Sequence, residues 1–485
     1  MPAPRRVKIS AVDTAWLRMD RPQNLMMICG VLLFRERLSL PRLRKVIAER
    51  FVVFKRFKQR ALDMPGVAFW ETDKSFAIAR HVVQATLPKP AGRAQLQELV
   101  SRLATTPLDP AHPMWQFHLV DRYDGGSALI ARIHHSYADG IALVRVMLSM
   151  TDAGPDGPPA MPFAPQPTKQ DADDDDPLAQ LLAPFAGMLG TARKVGKIIV
   201  AKGADVWSDP AKAVALAGQG SAFTAEIAKL LLMGQDSPTR FKGVLGVVKR
   251  VAWTEPLPLN EVKTIGYALG ASVNDVLLSC VAGAVRAYLD DKGDDTDGVM
   301  MRALVPVNLR PIEKAYRLGN KFGLVFLDLP IGIENPVQRL YAVRANMNAL
   351  KGSFQPVLAL GLLAAMGSGP RALQDLLLNL LARNATSVMT NVPGPQQPLY
   401  LAGAPIESLM FWVPQSGDIG MGVSIISYNG AVQFGVITDE GLCPDPDRIA
   451  ERFRSEFEKL VLTTLMAPWP REGDLDPEDA AAAVA

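Results

Sequence analysis

A Pro-, Gly- and Asp-rich stretch over 154–177, closing on Asp173-Asp174-Asp175-Asp176-Pro177, divides this chain of 485 residues into two parts. Each part interleaves strand and helix patterns. A chain of this length exceeds one ordinary core, and the acidic break reads as a solvated linker by composition. The expected organisation is an N-terminal half over 1–153, an acidic linker with bridging helices over 154–240, a C-terminal half over 241–466 and a loose tail over 467–485. The fold class is α/β.

In the first half, residues 26–34 read as a strand, 40–51 as an amphipathic helix and 66–71 as a short strand. Residues 115–120 and 127–133 read as a hairpin across Asp124-Gly125-Gly126. In the second half, 247–253, 301–307 and 321–329 read as strands, and 259–269, 272–289, 335–350 and 445–462 as helices. Residues 423–427 and 432–438 form a hairpin over Asn429-Gly430, the strongest two-residue turn signal.

Hydrophobic content of 48% with 21% charged residues describes a globular chain. A net charge of +3 is too small to argue for nucleic acid. Cys29, Cys280 and Cys443 are few and far apart, so neither a disulfide framework nor a zinc cluster follows, and a reducing cytoplasm fits. The basic N-terminus lacks an apolar core of the signal-peptide kind. No run reaches the ~20 clean apolar residues of a spanning helix. Residues 178–200 pair an apolar stripe with Arg193, Lys194 and Lys197, which suits either a lipid surface or packing on the protein itself.

The chemistry-bearing segment is His134-His135-Ser136-Tyr137-Ala138-Asp139-Gly140. The chain has five histidines, and two of them stand side by side here, after an apolar strand and before an Asp-Gly helix start. A neutral imidazole on a rigid strand end suits a general base. A bare His pair also fits one packed and one exposed ring with no chemistry. Zinc is disfavoured, because neighbours on a strand diverge and no third ligand follows. The chain has no G-x-S-x-G nucleophile elbow.

The pattern H-H-x-x-x-D-G resembles the signature of the chloramphenicol acetyltransferase-like acyltransferases. Further segments are similar to the bacterial wax ester synthase/diacylglycerol acyltransferase family, in its order. They are Ile9-Ser10-Ala11-Val12-Asp13, Pro107-Leu108-Asp109 with Pro113-Met114-Trp115, Asn274-Asp275, Val305-Pro306-Val307-Asn308-Leu309-Arg310, Gly319-Asn320 and Thr390-Asn391-Val392-Pro393-Gly394-Pro395. Met114 stands where the family usually has Leu, and Asn308 and Thr390 where it usually has Ser. These exchanges bear on chain-length preference.

The resemblance implies two chloramphenicol acetyltransferase-like sandwich domains with the active-site tunnel between them. It implies transfer of a long acyl group from acyl-CoA to a fatty alcohol or a diacylglycerol, by direct attack without an acyl-enzyme. His135 is then the base, His134 its orienting neighbour, and Asp139, with Gly140 after it, the loop anchor through an arginine. Asn274 becomes a candidate donor to the oxyanion or the alcohol with Asp275 in support, although both also suit plain helix capping. Pro113, Met114 and Trp115 are candidate tunnel lining, with Trp115 equally open to an ordinary core role. Arg310 is a candidate for CoA phosphates, and Asn391 for the tunnel mouth. No metal and no cofactor is expected, acyl-CoA being a co-substrate. The expected location is cytoplasmic, against the inner membrane face or lipid inclusions. The rival readings are a condensation-type enzyme fed by a carrier protein and a non-catalytic lipid-binding protein.

Overall fold

The computed structural model describes residues 6–155, 157–160, 233–309, 319–320, 322–353, 355–369, 374, 378–379 and 382–466. The amphipathic stretch over 178–200, most of the expected linker and bridging helices, Arg310 and the tail lie outside the described residues.

Two large sheets carry the molecule. The first has six strands in the order β13 (Tyr400–Leu401), β14 (Ala404–Trp412), β2 (Met27–Phe34), β7 (Gly126–His134), β6 (Trp115–Tyr123) and β5 (Val82–Ala85). The second runs β11 (Phe322–Pro330), β10 (Met300–Asn308), β12 (Ser387–Pro393), β15 (Met421–Tyr428), β16 (Ala431–Asp439) and β8 (Lys249–Trp253), with β9 (Leu257–Pro258) also on β16. A small sheet joins β1 (Arg6–Lys8), β4 (Val67–Thr72) and β3 (Gln59–Met64).

Strand β7 is buried at every position because both of its faces are covered. Ala128 and Ile130 pack with Leu96 and Leu99 of helix α4 (Arg93–Thr105). Leu129, Ala131 and Ile133 face the other way, toward Leu143 and Val146 of helix α5 (Gly140–Ser149). Opposite faces for successive residues follow from the strand's period of two. The turn into β7 holds Asp124 and Gly125 at φ 44° and 80°, so the glycine sits in the left-handed region that it tolerates best.

The two halves are interlocked. Strand β14 leaves the C-terminal half to pair antiparallel with β2, and so closes an edge that would otherwise be open. The break over 154–177 carries no sign of this exchange, because it depends on tertiary pairing. Helix α1 (Ala11–Arg18) in turn packs on α9 (Gln355–Ser368). A Cβ on Gly367 would lie 1.6 Å from the Ala11 carbonyl oxygen, so only glycine permits this approach. Val12 and Trp16 therefore share a core with Leu304, Phe322 and Leu360 from the second half.

The expected helix over 40–51 forms as α2 (Leu40–Val46) continued by a π turn, Ile47–Phe51. Four more helices cover the sheets: a short α3 (Ile78–His81) in the first half, and α6 (Leu259–Ala268), α7 (Val273–Asp291) and α8 (Pro336–Leu350) in the second. The final helix is α10 (Pro446–Met466). Among the described residues, no single helix is long and apolar enough to cross a membrane.

Candidate active site

His134 is the last residue of β7, and the chain then turns to α5, where Asp139 is the N-cap and accepts from the Ala142 N–H at 2.9 Å. His135 is pinned between these two elements by its own backbone. Its N–H donates to the Met26 carbonyl at 2.7 Å, and its carbonyl accepts from Asn320 Nδ2 at 2.8 Å. The ring is only 5% exposed and stacks on Trp16, with centroids 4.2 Å apart and planes at 28°. Phe322 meets it edge-on at 5.7 Å.

Nδ1 of His135 is enclosed without a well-aligned hydrogen-bond partner, and the ring lines a cavity, so Nε2 is the nitrogen available to a ligand. Burial pulls this imidazole down to about 4, against the opposing pull of its own carbonyl and of the Asn320 side chain. At neutral pH the ring is uncharged and can accept a proton.

His134 faces away from that cavity. Its N–H donates to the Met114 carbonyl at 3.0 Å, and its Nδ1 accepts from the Ser136 N–H at 3.1 Å. Burial, with His135 next to it, brings this ring down to about 3. These bonds tie the histidine to Met114 on one side and to the turn at Ser136 on the other.

Asn320 was legible only as half of a Gly-Asn pair. In the structure its N–H and Nδ2 both donate to Asp13 Oδ1, at 3.0 and 2.7 Å, while Nδ2 also reaches His135. Burial raises the Asp13 carboxyl, partly offset by the Asn320 bonds and by Arg56. Neither Asn320 nor Trp16 was singled out from sequence. The signal available was their place beside Asp13 and Gly319 in the two flanking motifs.

The cavity beside His135 holds about 140 Å³ and takes its walls from both halves of the chain. Trp16, His135, Asp139 and Gly140 face Leu304, Phe322, Thr390 and Asn391 across it. Asn391 sits near the end of β12 rather than in a free-standing turn, and its Nδ2 donates to Asn274 Oδ1 at 2.9 Å. Asn274 thus reaches the cavity wall through Asn391.

Asp275 closes a capping box at the start of α7, accepting from the N–H and hydroxyl of Ser272 at 2.9 and 2.6 Å. The capping reading is the one the geometry bears out for Asp275.

The expectation for Pro113, Met114 and Trp115 as tunnel lining needs correction. All three are buried, and none lines the His135 cavity or the apolar cavity next to it. Trp115 is fully enclosed by Phe51, Phe117 and His81, with Nε1 donating to the Phe57 carbonyl at 2.8 Å. Met114 acts through its backbone: its carbonyl accepts from the His134 N–H at 3.0 Å, and its N–H donates to Tyr137 Oη at 3.0 Å. A bulky aromatic on a central sheet fills the core before it lines a passage.

A buried, neutral imidazole facing a largely apolar cavity, with its backbone clamped on both sides, has the chemistry to accept a proton from a ligand hydroxyl. The sequence matches the wax ester synthase/diacylglycerol acyltransferase catalytic domain over residues 9–277 and that family's C-terminal domain over residues 318–461. The chain belongs to this family. A Mycobacterium tuberculosis protein named as a diacylglycerol O-acyltransferase is 26% identical over 478 residues, covering 94% of this chain and 90% of its own length. A second protein of that name from the same species is 28% identical over 459 residues, covering 90% and 91%.

Among solved structures, the wax ester synthase/diacylglycerol acyltransferase of Marinobacter aquaeolei VT8 superposes with a TM-score of 0.67 at 21% identity, covering 95% of this chain and all of that one. The first condensation domain of the calcium-dependent antibiotic synthetase follows the same fold, with a TM-score of 0.58 at 14% identity over 96% and 97% of the two chains. The two-sandwich architecture of this acyltransferase is therefore shared with both.

Proposed function

We propose that this acyltransferase moves a long-chain acyl group from acyl-CoA to the hydroxyl of a long-chain alcohol or a diacylglycerol, with His135 as general base. The observation that carries the reading is the uncharged His135 ring on the wall of a largely apolar cavity between the halves.

In this reading Nε2 takes the hydroxyl proton as the alcohol oxygen attacks the thioester carbonyl. The tetrahedral intermediate forms one C–O bond. Its collapse breaks the C–S bond, and the departing thiolate recovers the proton from His135. Atoms balance with no cofactor. A positioned base contributes typically ~10²–10⁴-fold in rate. Asn391 lines the cavity and donates to Asn274, and Asn274 is the candidate donor to the oxyanion or to the acceptor hydroxyl.

Direct attack is favoured over an acyl-cysteine route. Cys29, Cys280 and Cys443 are buried, none lines the His135 cavity, and burial raises all three thiols. The acceptors are themselves lipids, so the reaction belongs at a membrane face or a lipid inclusion on the cytoplasmic side.

The test is thiol release from palmitoyl-CoA with hexadecanol, dioleoylglycerol or no acceptor. Release that requires an acceptor, with intersecting double-reciprocal plots, supports direct transfer. Parallel plots, or a burst of thiol before acceptor is added, would overturn it in favour of an acyl-enzyme. A donor arm with an acyl-carrier protein in place of acyl-CoA separates this from condensation-type chemistry.

A further inference from the structure

Two carboxyls of the N-terminal segment stand behind the backbone of His135. Its carbonyl leads to Asp13 through Asn320. Its N–H leads to Asp20. The Met26 carbonyl accepts that N–H at 2.7 Å, and the Met26 N–H in turn donates to Asp20 Oδ1 at 2.7 Å. Asp20 does not line the His135 cavity.

Met26 needs this partner. The ladder of β2 on β7 ends at the pair Met27–His134, so Met26 lies one residue beyond the last rung. A three-residue turn carries the chain round it, with the Met27 N–H donating to the Leu25 carbonyl at 2.8 Å. Met26 is fully buried, and a buried backbone N–H requires an acceptor. Asp20 Oδ1 supplies it. The turn is anchored on the second half as well, because Asn24 Nδ2 donates to the Gly417 and Ile419 carbonyls at 2.8 and 3.1 Å.

His134 gives a second, independent sign. The Ser136 N–H can only donate, so the Nδ1 that accepts it carries no proton. In the neutral ring the proton then sits on Nε2. That N–H is enclosed without a hydrogen-bond partner, and Asp20 Oδ2 lies 3.9 Å away. This is about 1 Å too long for a hydrogen bond. The Asp20 side chain is 36% exposed and has room to turn about its Oδ1 contact. Hydrogen bonds at reacting centres are often long in the free enzyme and tighten with substrate bound.

We propose that Asp20 is a positioning residue for the acyl transfer. Its Oδ1 holds the Met26 turn that carries the His135 N–H, and its Oδ2 accepts the Nε2–H of His134. One carboxyl thus aligns both histidines. The inference rests on the acyltransferase reading above and adds to it a residue that acts through Met26 and His134 rather than on substrate.

The test uses the full-length enzyme with palmitoyl-CoA and hexadecanol. Asp20→Ala removes both acceptors. Its kcat is expected to fall about 10²-fold with KM for both substrates little changed, because a displaced base lowers turnover without removing a substrate contact. Asp20→Asn keeps an oxygen for the Met26 N–H but turns an NH2 group toward His134, and its kcat is expected to fall between the two. A folded Asp20→Ala enzyme with wild-type kcat and only a lowered Tm overturns the proposal. If Asp20→Ala does not fold, wild-type kcat in Asp20→Asn overturns it.

A second readout does not need turnover. With ¹⁵N-histidine incorporated, five imidazoles report in the NMR spectrum, and His134→Gln identifies the His134 signals. Wild type is expected to show His134 protonated on Nε2 and bare on Nδ1. In Asp20→Asn the Nε2–H resonance is expected to move upfield, because its carboxyl acceptor is gone. A His134 ring protonated on Nδ1, or His134 signals identical in wild type and Asp20→Asn, overturns the assignment. A wild type that releases no thiol with any acceptor sinks the acyltransferase reading, while the His134 spectrum still decides the contact with Asp20.

Discussion

The side chain of Asn320 donates to the carbonyl oxygen of His135 at 2.8 Å, and through the same Nδ2 to Asp13 at 2.7 Å. One amide from the second half of the chain therefore fixes the backbone of the proposed base and ties it to helix α1. The ring of His135 is positioned from the opposite side by Trp16 of that same helix. Position at the site is thus set by three segments more than a hundred residues apart in sequence.

Replacing Asn320 by Ala leaves the Asp13 carboxyl and the His135 carbonyl without this donor. Losing a buried partner costs about 1–3 kcal/mol. We expect a lower Tm and a fall in kcat larger than any change in KM. Asn320→Asp sets a second carboxylate against Asp13 and is expected to be worse than Asn320→Ala by both measures. Equal kcat in all three proteins contradicts the clamp.

Trp16→Ala removes the face on which His135 stacks, while Trp16→Phe keeps an aromatic face. Truncating a buried Trp costs about 3–5 kcal/mol. Activity is expected to return in Trp16→Phe and to stay low in Trp16→Ala, even at temperatures where both are folded by circular dichroism. Equal activity of the two folded variants counts against a positioning role.

The histidine pair gives the protein a defined response to acid. Burial holds His134 at about 3 and His135 at about 4, below the unperturbed 6.5. The unfolded chain therefore binds these protons first, and stability falls as pH drops from the unfolded value through the folded ones. The base form of His135 persists over the same interval. We expect kcat/KM to hold from pH 8 to about pH 5 and then fall with an apparent pKa near 4. Urea unfolding at pH 7, 6 and 5 should show declining stability across this window. An activity limb near 6.5 would show a base that is not buried as described.

Neighbouring residues at the start of α7 should separate by readout. Asp275→Ala breaks the capping box and is expected to cost about 0.5–2 kcal/mol of stability with little effect on kcat once folded. Asn274→Ala removes the acceptor of Asn391 and is expected to act on kcat more than on Tm. A kcat loss in Asp275→Ala as large as that in Asn274→Ala would return Asp275 to the reacting centre.

Much of this was legible in the chain. The alternation over 127–133 and the Asp-Gly after the histidines placed His135 on a strand-to-helix turn, which is where it lies. These features are local, set by period and by capping. The exchange of β14 onto β2 was not legible, because a strand names its faces but not its neighbour. The motif leaves Trp115 open between tunnel lining and core, and its packing against Phe51, Phe117 and His81, which decides for the core, is a property of the assembled sheet. Trp16 and Asn320 escaped notice for the same reason. Each acts by touching His135 across a long sequence separation.

The most direct measurement is acceptor-dependent thiol release by His135→Ala beside wild type, with folding of the variant confirmed by circular dichroism. The account predicts a loss of about 10²–10⁴-fold in kcat with hexadecanol or dioleoylglycerol. A folded His135→Ala enzyme that turns over within a few-fold of wild type would contradict it.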